Sequence, residues 1–146
     1  MALQLYVIPK VLFPGRRIIL LVEDEPFVRE ATCAILEHAG FEVLPTQDAQ
    51  EAMKAYDESL RPIDLVMTDM VLPGRSGQQL GEDLRDRSAD VAVLITSGYS
   101  SAESEIEAPE SRTYFLAKPY SRRTLLAKIE KILSAAPPRS QPRKAS

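Results

Sequence analysis

Four groups of reactive side chains punctuate this chain, each just after an apolar run. Glu23, Asp24 and Glu25 follow Arg17–Val22 (RIILLV), and Asp69 follows Ile63–Thr68 (IDLVMT). Ser97 follows Val91–Thr96 (VAVLIT), and Lys118 follows Thr113–Ala117 (TYFLA). Carboxylates held close together repel one another and cost stability unless a cation neutralises them. Hard oxygen ligands with room for water suit Mg2+ (or Mn2+). A carboxylate can also attack phosphorus itself, giving an aspartyl phosphate. Charge on the transferring phosphoryl oxygens then needs stabilising partners: a metal, a lysine ammonium and a hydroxyl. The carboxylates, the lysine and the hydroxyl are all present, so the question is whether the fold gathers them.

The four runs, with Phe41–Leu44, read as five short strands. Three are nearly continuous apolar stretches, as expected for strands covered on both faces. Helical patterns fill the intervals. Pro26 suits a first helical turn, where its missing N–H costs little. Val28, Thr32, Ile35, Leu36 and Ala39 then share one face, and Gly40 can close the helix in a left-handed cap. Asp48 can cap a second helix whose inner face holds Ala49, Ala52, Met53 and Tyr56. Gln78–Arg87 makes a third. Ser100–Glu110 is a weak fourth, with Ile106 and a few alanines to bury and Pro109 interrupting it. Ser121 can cap the last, with a stripe of Leu125, Ile129, Ile132 and Leu133.

The alternation predicts an α/β protein: a (βα)5 flavodoxin-like three-layer sandwich with a parallel five-stranded sheet, right-handed crossovers and helices on both faces. Five such units suit the strand order 2-1-3-4-5, which is borrowed from known sheets of this architecture rather than derived from the pattern. Ligands of open α/β sheets bind at the carboxyl ends of strands, where all the reactive residues stand.

Composition narrows the function classes. A chain of 146 residues with 45% hydrophobic and 27% charged residues suits one globular domain. No apolar run approaches the roughly 20 residues that span a bilayer. The stretch 1–16, interrupted by Pro9 and Pro14, reads as an N-terminal extension without the marks of a signal peptide. Cys33 as the single cysteine excludes an internal disulfide and fits a reducing cytoplasm. Residues 17–135 hold all 21 acidic residues but only 13 of the 18 basic ones, and an acidic body does not suit a nucleic-acid binder. Residues 136–146, with three prolines, three basic residues and no acid, read as a disordered tail.

Val22-Glu-Asp-Glu-Pro26, Asp69-Met-Val-Leu-Pro-Gly-Arg-Ser-Gly77, Thr96-Ser-Gly-Tyr99 and Lys118-Pro119 resemble, in order, the four marker segments of response-regulator receiver domains. The resemblance spans about residues 17–135. It implies that Asp69 is the phosphoacceptor, that Glu23 and Asp24 serve a divalent metal with Asp24 the direct ligand, and that the main-chain carbonyl of Val71 is a further ligand. It makes Ser97, with Thr96 as the alternative, the switch hydroxyl, and Lys118 the partner of the phosphoryl group. Phe115 matches the aromatic that changes rotamer on activation, and Pro119 follows a cis peptide bond. The implied partners are a sensor histidine kinase or a histidine phosphotransfer protein. A downstream protein target would meet the face built from the fourth helix, fifth strand and last helix. Glu23 stands where the commonest pattern has Asp, which lengthens the reach to the metal.

Plainer roles compete for some of these residues. Asp69 could cap a turn, Lys118 could be a surface lysine, and Phe115 could be core. Glu25 reads as favourable charge at a helix N-terminus, His38 as a cation at a helix C-terminus, and Cys33 and Tyr120 as packing. At the level of function, the expectation is a stand-alone receiver, not a turnover enzyme and not a DNA-binding regulator, with a receiver segment of a hybrid histidine kinase as the alternative. An Asp-nucleophile phosphatase of the haloacid-dehalogenase type is disfavoured. That chemistry uses Asp-x-Asp, and here the second position is Val71, which cannot move a proton. The resemblance also implies that the side chains two places after the acceptor and after the switch hydroxyl govern attack by water. Here these are Val71 and Tyr99, which offer little to orient it, so a long-lived phosphoryl group is expected.

Overall fold

The computed structural model describes residues 15–98 and 107–135. Five strands, β1 (Ile18–Val22), β2 (Glu42–Thr46), β3 (Leu65–Asp69), β4 (Ala92–Ser97) and β5 (Thr113–Ala117), form one sheet of order β2-β1-β3-β4-β5. All neighbours are parallel. Among the described residues the α-helices are α1 (Pro26–His38), α2 (Ala49–Glu58), α3 (Gly77–Arg87) and α4 (Arg122–Ser134). This is the flavodoxin-like sandwich and the strand order that the sequence led us to expect.

Alternation along the strands feeds two cores. Leu20, Val22, Val66, Val93, Ile95 and Phe115 pack on one side against Ala52 of α2 and Leu80 and Leu84 of α3. Ile19, Leu21, Met67 and Leu94 pack on the other against Leu36 of α1 and Leu125, Ile129 and Ile132 of α4. The two faces are therefore chemically independent layers separated by one sheet thickness.

Local chemistry sets the helix ends. Asp48 accepts from the Glu51 N–H at 2.8 Å, and Ser121 accepts from the Thr124 N–H at 3.0 Å. Gly40, at φ +103°, ends α1, with its N–H bonded to the Glu37 carbonyl and that of Phe41 to Leu36. Before α3, Ser76 and Gln79 form a reciprocal capping box.

Three expectations need correction. Val28 and Ala39 are exposed rather than on the inner face of α1, because they sit at its two ends while Thr32 and Leu36 carry the burial. β2 runs to Thr46 and includes Pro45, which an edge strand tolerates because one side of its ladder is open. The fourth helix, expected over Ser100–Glu110, falls largely on residues 99–106, outside the described part. Its end is not α-helical: Ala108 bridges Thr113, and Pro109–Ser111 make a 3-10 turn. Proline lacks an N–H and pushes the preceding residue toward extended backbone, which accounts for this ending.

Candidate phosphoryl-acceptor site

The carboxyl ends of β1, β3, β4 and β5 lie side by side, and their last residues supply the site. Asp69 and Ser97 are the final residues of β3 and β4 rather than the first beyond them. Glu23 follows β1 and remains extended, its N–H bonded to the Thr46 carbonyl at 3.0 Å. One carboxylate oxygen from each of Glu23, Asp24 and Asp69 lies within 4.8 Å of the others. Lys118 Nζ reaches Asp69 Oδ1 at 2.6 Å and Glu23 Oε1 at 3.8 Å. The Lys118–Pro119 bond is cis.

The charges are not in balance. Glu23 is buried, with 6% of its surface exposed, and its carboxyl pKa is pushed up to about 7. Burial is the main cause, and the charge of Asp69 adds to it. A bond from the Glu25 N–H and the charge of Lys118 oppose the shift. Burial alone would lower the Lys118 pKa, but its bond to Asp69 and the charges of Asp69 and Glu23 raise it instead. Three carboxylates facing one ammonium hold an excess of negative charge. The donor set, all oxygen and partly open, fits a hard divalent cation such as Mg2+.

Alternation sorts the remaining residues. Asp69 continues the series Leu65, Met67; Thr96 continues Ala92, Leu94; Lys118 continues Tyr114, Leu116. These three rise from the α1/α4 face. Ser97 continues Val93, Ile95, and Phe115 is the register partner of Ile95, so both belong to the α2/α3 face. Thr96 and Asp69 are direct cross-strand partners, and the Thr96 hydroxyl donates to Asp69 Oδ1 at 3.0 Å. Ser97 is buried, and its carbonyl accepts from the Lys118 N–H at 2.7 Å. Phe115 is also buried, and its N–H donates to Glu107 Oε2 at 3.0 Å.

Val71 lies two residues beyond Asp69, with its side chain exposed. It opens a two-residue antiparallel ladder, Val71–Leu72 against Arg75–Ser76, closed by Pro73-Gly74 with Gly74 at φ +74°. Tyr99 falls outside the described residues.

A profile of the response regulator receiver domain matches residues 19–130. The chain belongs to this family. The sensory transduction protein RegX3 of Mycobacterium tuberculosis is 30% identical to the receiver domain over 115 residues, 79% of this chain and 50% of RegX3. The chain thus spans about half the length of the curated relatives it matches. Among solved structures, the receiver domain of the hybrid histidine kinase CckA is 32% identical with a TM-score of 0.68, covering 80% of this chain and 98% of that one. The response regulator TrrA of Thermotoga maritima, solved in complex with Mg2+ and BeF, is 27% identical with a TM-score of 0.70, covering 80% and 98%. No helix among the described residues of the receiver domain is long and apolar enough to cross a membrane.

Sequence reasoning passed over three supports of this site. Gly77 is one: a Cβ there would collide with the Asp69 carbonyl oxygen and crowd Thr68, so only glycine lets α3 start against the end of β3. A glycine directly after the helix cap was its signal. Arg29 is another, donating to the Glu23 carbonyl at 2.7 Å. The third is Glu107, whose carboxylate caps the open edge of β5 and pairs with Lys128.

Proposed function

We propose that this receiver domain takes a phosphoryl group onto Asp69 and thereby changes a protein-binding face. The observation that carries the reading is the meeting of Asp69 with Lys118 at 2.6 Å beside two further carboxylates. In the step, an Asp69 carboxylate oxygen attacks phosphorus of a phosphohistidine and forms a P–O bond. The P–N bond breaks, and its electron pair leaves on the imidazole, which takes a proton. Glu23, Asp24 and Asp69, with the Val71 carbonyl, would hold Mg2+ (or Mn2+), which supplies charge neutralisation for the phosphoryl oxygens. Lys118 contributes a fixed ammonium to the same charge. The donor is a sensor histidine kinase or a histidine phosphotransfer protein, met in the cytoplasm.

Ser97 then bonds the new phosphoryl group from the other face, and Phe115 moves with it, altering a surface to which β5 and α4 contribute. The domain turns over no separate substrate; water slowly releases the phosphate. The likeness to the CckA receiver favours a second setting for the same chemistry, as the receiver segment of a hybrid histidine kinase. The test is incubation with Mg2+ and a small acyl phosphate. An acid-stable, base-labile label on Asp69 that vanishes in Asp69→Asn supports the reading. Full labelling of that variant overturns it.

A further inference from the structure

Thr96 is a hydroxyl whose position is not explained by the switch. Its side chain is buried, stands on the α1/α4 face, and donates to the same Asp69 oxygen that Lys118 reaches. A second acceptor, the Thr68 carbonyl, lies at 3.5 Å and is at best a weak partner. The hydroxyl is therefore committed to the carboxylate. Ser97, one residue on, is turned to the opposite face by strand alternation.

We propose that Thr96 is a positioning residue that sets how readily Asp69 gives up its phosphoryl group, a task separate from that of Ser97. The inference rests on Asp69 being the acceptor. A hydrogen bond to an ionised oxygen is stronger than one to a neutral oxygen. Whichever oxygen takes phosphorus, the acyl phosphate has lost the carboxylate charge that Thr96 meets here. The bond thus stabilises free Asp69 more than phosphorylated Asp69.

In hydrolysis, water attacks phosphorus and the bond from phosphorus to the Asp69 oxygen breaks. The electron pair returns to the carboxylate, and the water proton leaves with the phosphate and solvent. In a loose transition state much of that negative charge is already on the leaving carboxylate. Thr96 then binds the transition state better than the acyl phosphate, and speeds decay. It also pulls the equilibrium with an exchangeable phosphodonor toward unmodified Asp69.

The test uses the whole chain with Mg2+ and acetyl phosphate as donor, followed by removal of the donor and timing of label loss. Thr96→Val keeps the shape and removes the hydroxyl; Thr96→Ala serves if that variant does not fold. Decay should slow by about fivefold, with a higher plateau of label before donor removal. Thr96→Ser should restore wild-type decay. Wild-type decay in both hydroxyl-free variants, or faster decay, overturns the proposal while leaving the acceptor assignment intact. Absence of label on wild-type Asp69 would instead overturn the reading on which it rests.

Discussion

The two faces of one sheet edge carry different kinds of residue. On the α1/α4 face, Thr96 and Lys118 both reach Asp69 and, with the neighbouring Glu23 and Asp24, the group holds unbalanced charge. On the α2/α3 face, Ser97 adjoins a packed apolar layer of Val93, Ile95, Phe115, Leu80 and Leu84. Charge crowding suits bond making, which needs fixed dipoles and a nucleophile. A packed apolar layer suits a two-state side-chain shift, because close-packed interiors move between discrete arrangements. Adjacent residues of one strand, Thr96 and Ser97, thus serve opposite sides.

The strongest break of this comparison comes from Lys118→Met. Losing the ammonium should slow labelling of Asp69 on the order of a hundredfold. Ser97→Ala should change labelling far less and instead weaken the response around Phe115. Equal losses in a labelling time course would erase the distinction between the faces.

Gly77→Ala attacks the close contact between the start of α3 and the end of β3. Its methyl group cannot fit against the Asp69 carbonyl, so β3 or α3 must shift. A loss of about 2 kcal/mol in chemical denaturation is expected, together with slower labelling. Unchanged stability would mean the close approach is not retained in solution.

Asp24→Asn should weaken Mg2+ binding and slow labelling. It should also raise the stability of the metal-free protein by relieving repulsion with Glu23 and Asp69. A calorimetric titration with unaltered affinity would remove Asp24 from the ligand set.

The smallest effect is a pH dependence on the charged face. The Glu23 carboxyl titrates near 4.5 when unfolded and at about 7 in the folded metal-free chain. Between those values the folded state holds a proton that the unfolded chain has released. Stability therefore rises as pH falls through about 7, and the full cost of the buried charge is present above it. Metal-free protein should melt higher at pH 6 than at pH 8, and Glu23→Gln should flatten the difference. The bound proton competes with metal, so Mg2+ affinity should fall over the same interval.

Much of this was legible in the chain itself, for identifiable reasons. Strands such as IDLVMT and VAVLIT are buried on both faces, so their composition reveals them even when the ends drift by a residue or two. The stripe Leu125, Ile129, Ile132, Leu133 follows helical spacing and is buried throughout. The acids, Ser97 and Lys118 were visible because each closes a strand. What the spacing could not show was which way neighbouring side chains turn. The placement of Thr96 on Asp69 depends on cross-strand register, which no single strand encodes. Glu107 on the Phe115 N–H and Arg29 on the Glu23 carbonyl likewise depend on tertiary placement. Only the end of the expected fourth helix lies among the described residues, and there the backbone preference of Pro109 gives a bridge at Ala108 and a 3-10 turn instead of an α-helix.

The division of labour between the faces has one direct measurement. Backbone NMR spectra of wild type and Ser97→Ala are recorded with Mg2+, before and after beryllofluoride, a phosphoryl mimic. The wild type should show shifts both around Asp69, Thr96 and Lys118 and around Phe115 and Glu107. Ser97→Ala should keep the first group and lose the second. Loss of the Phe115 response in Thr96→Val but not in Ser97→Ala would contradict the account.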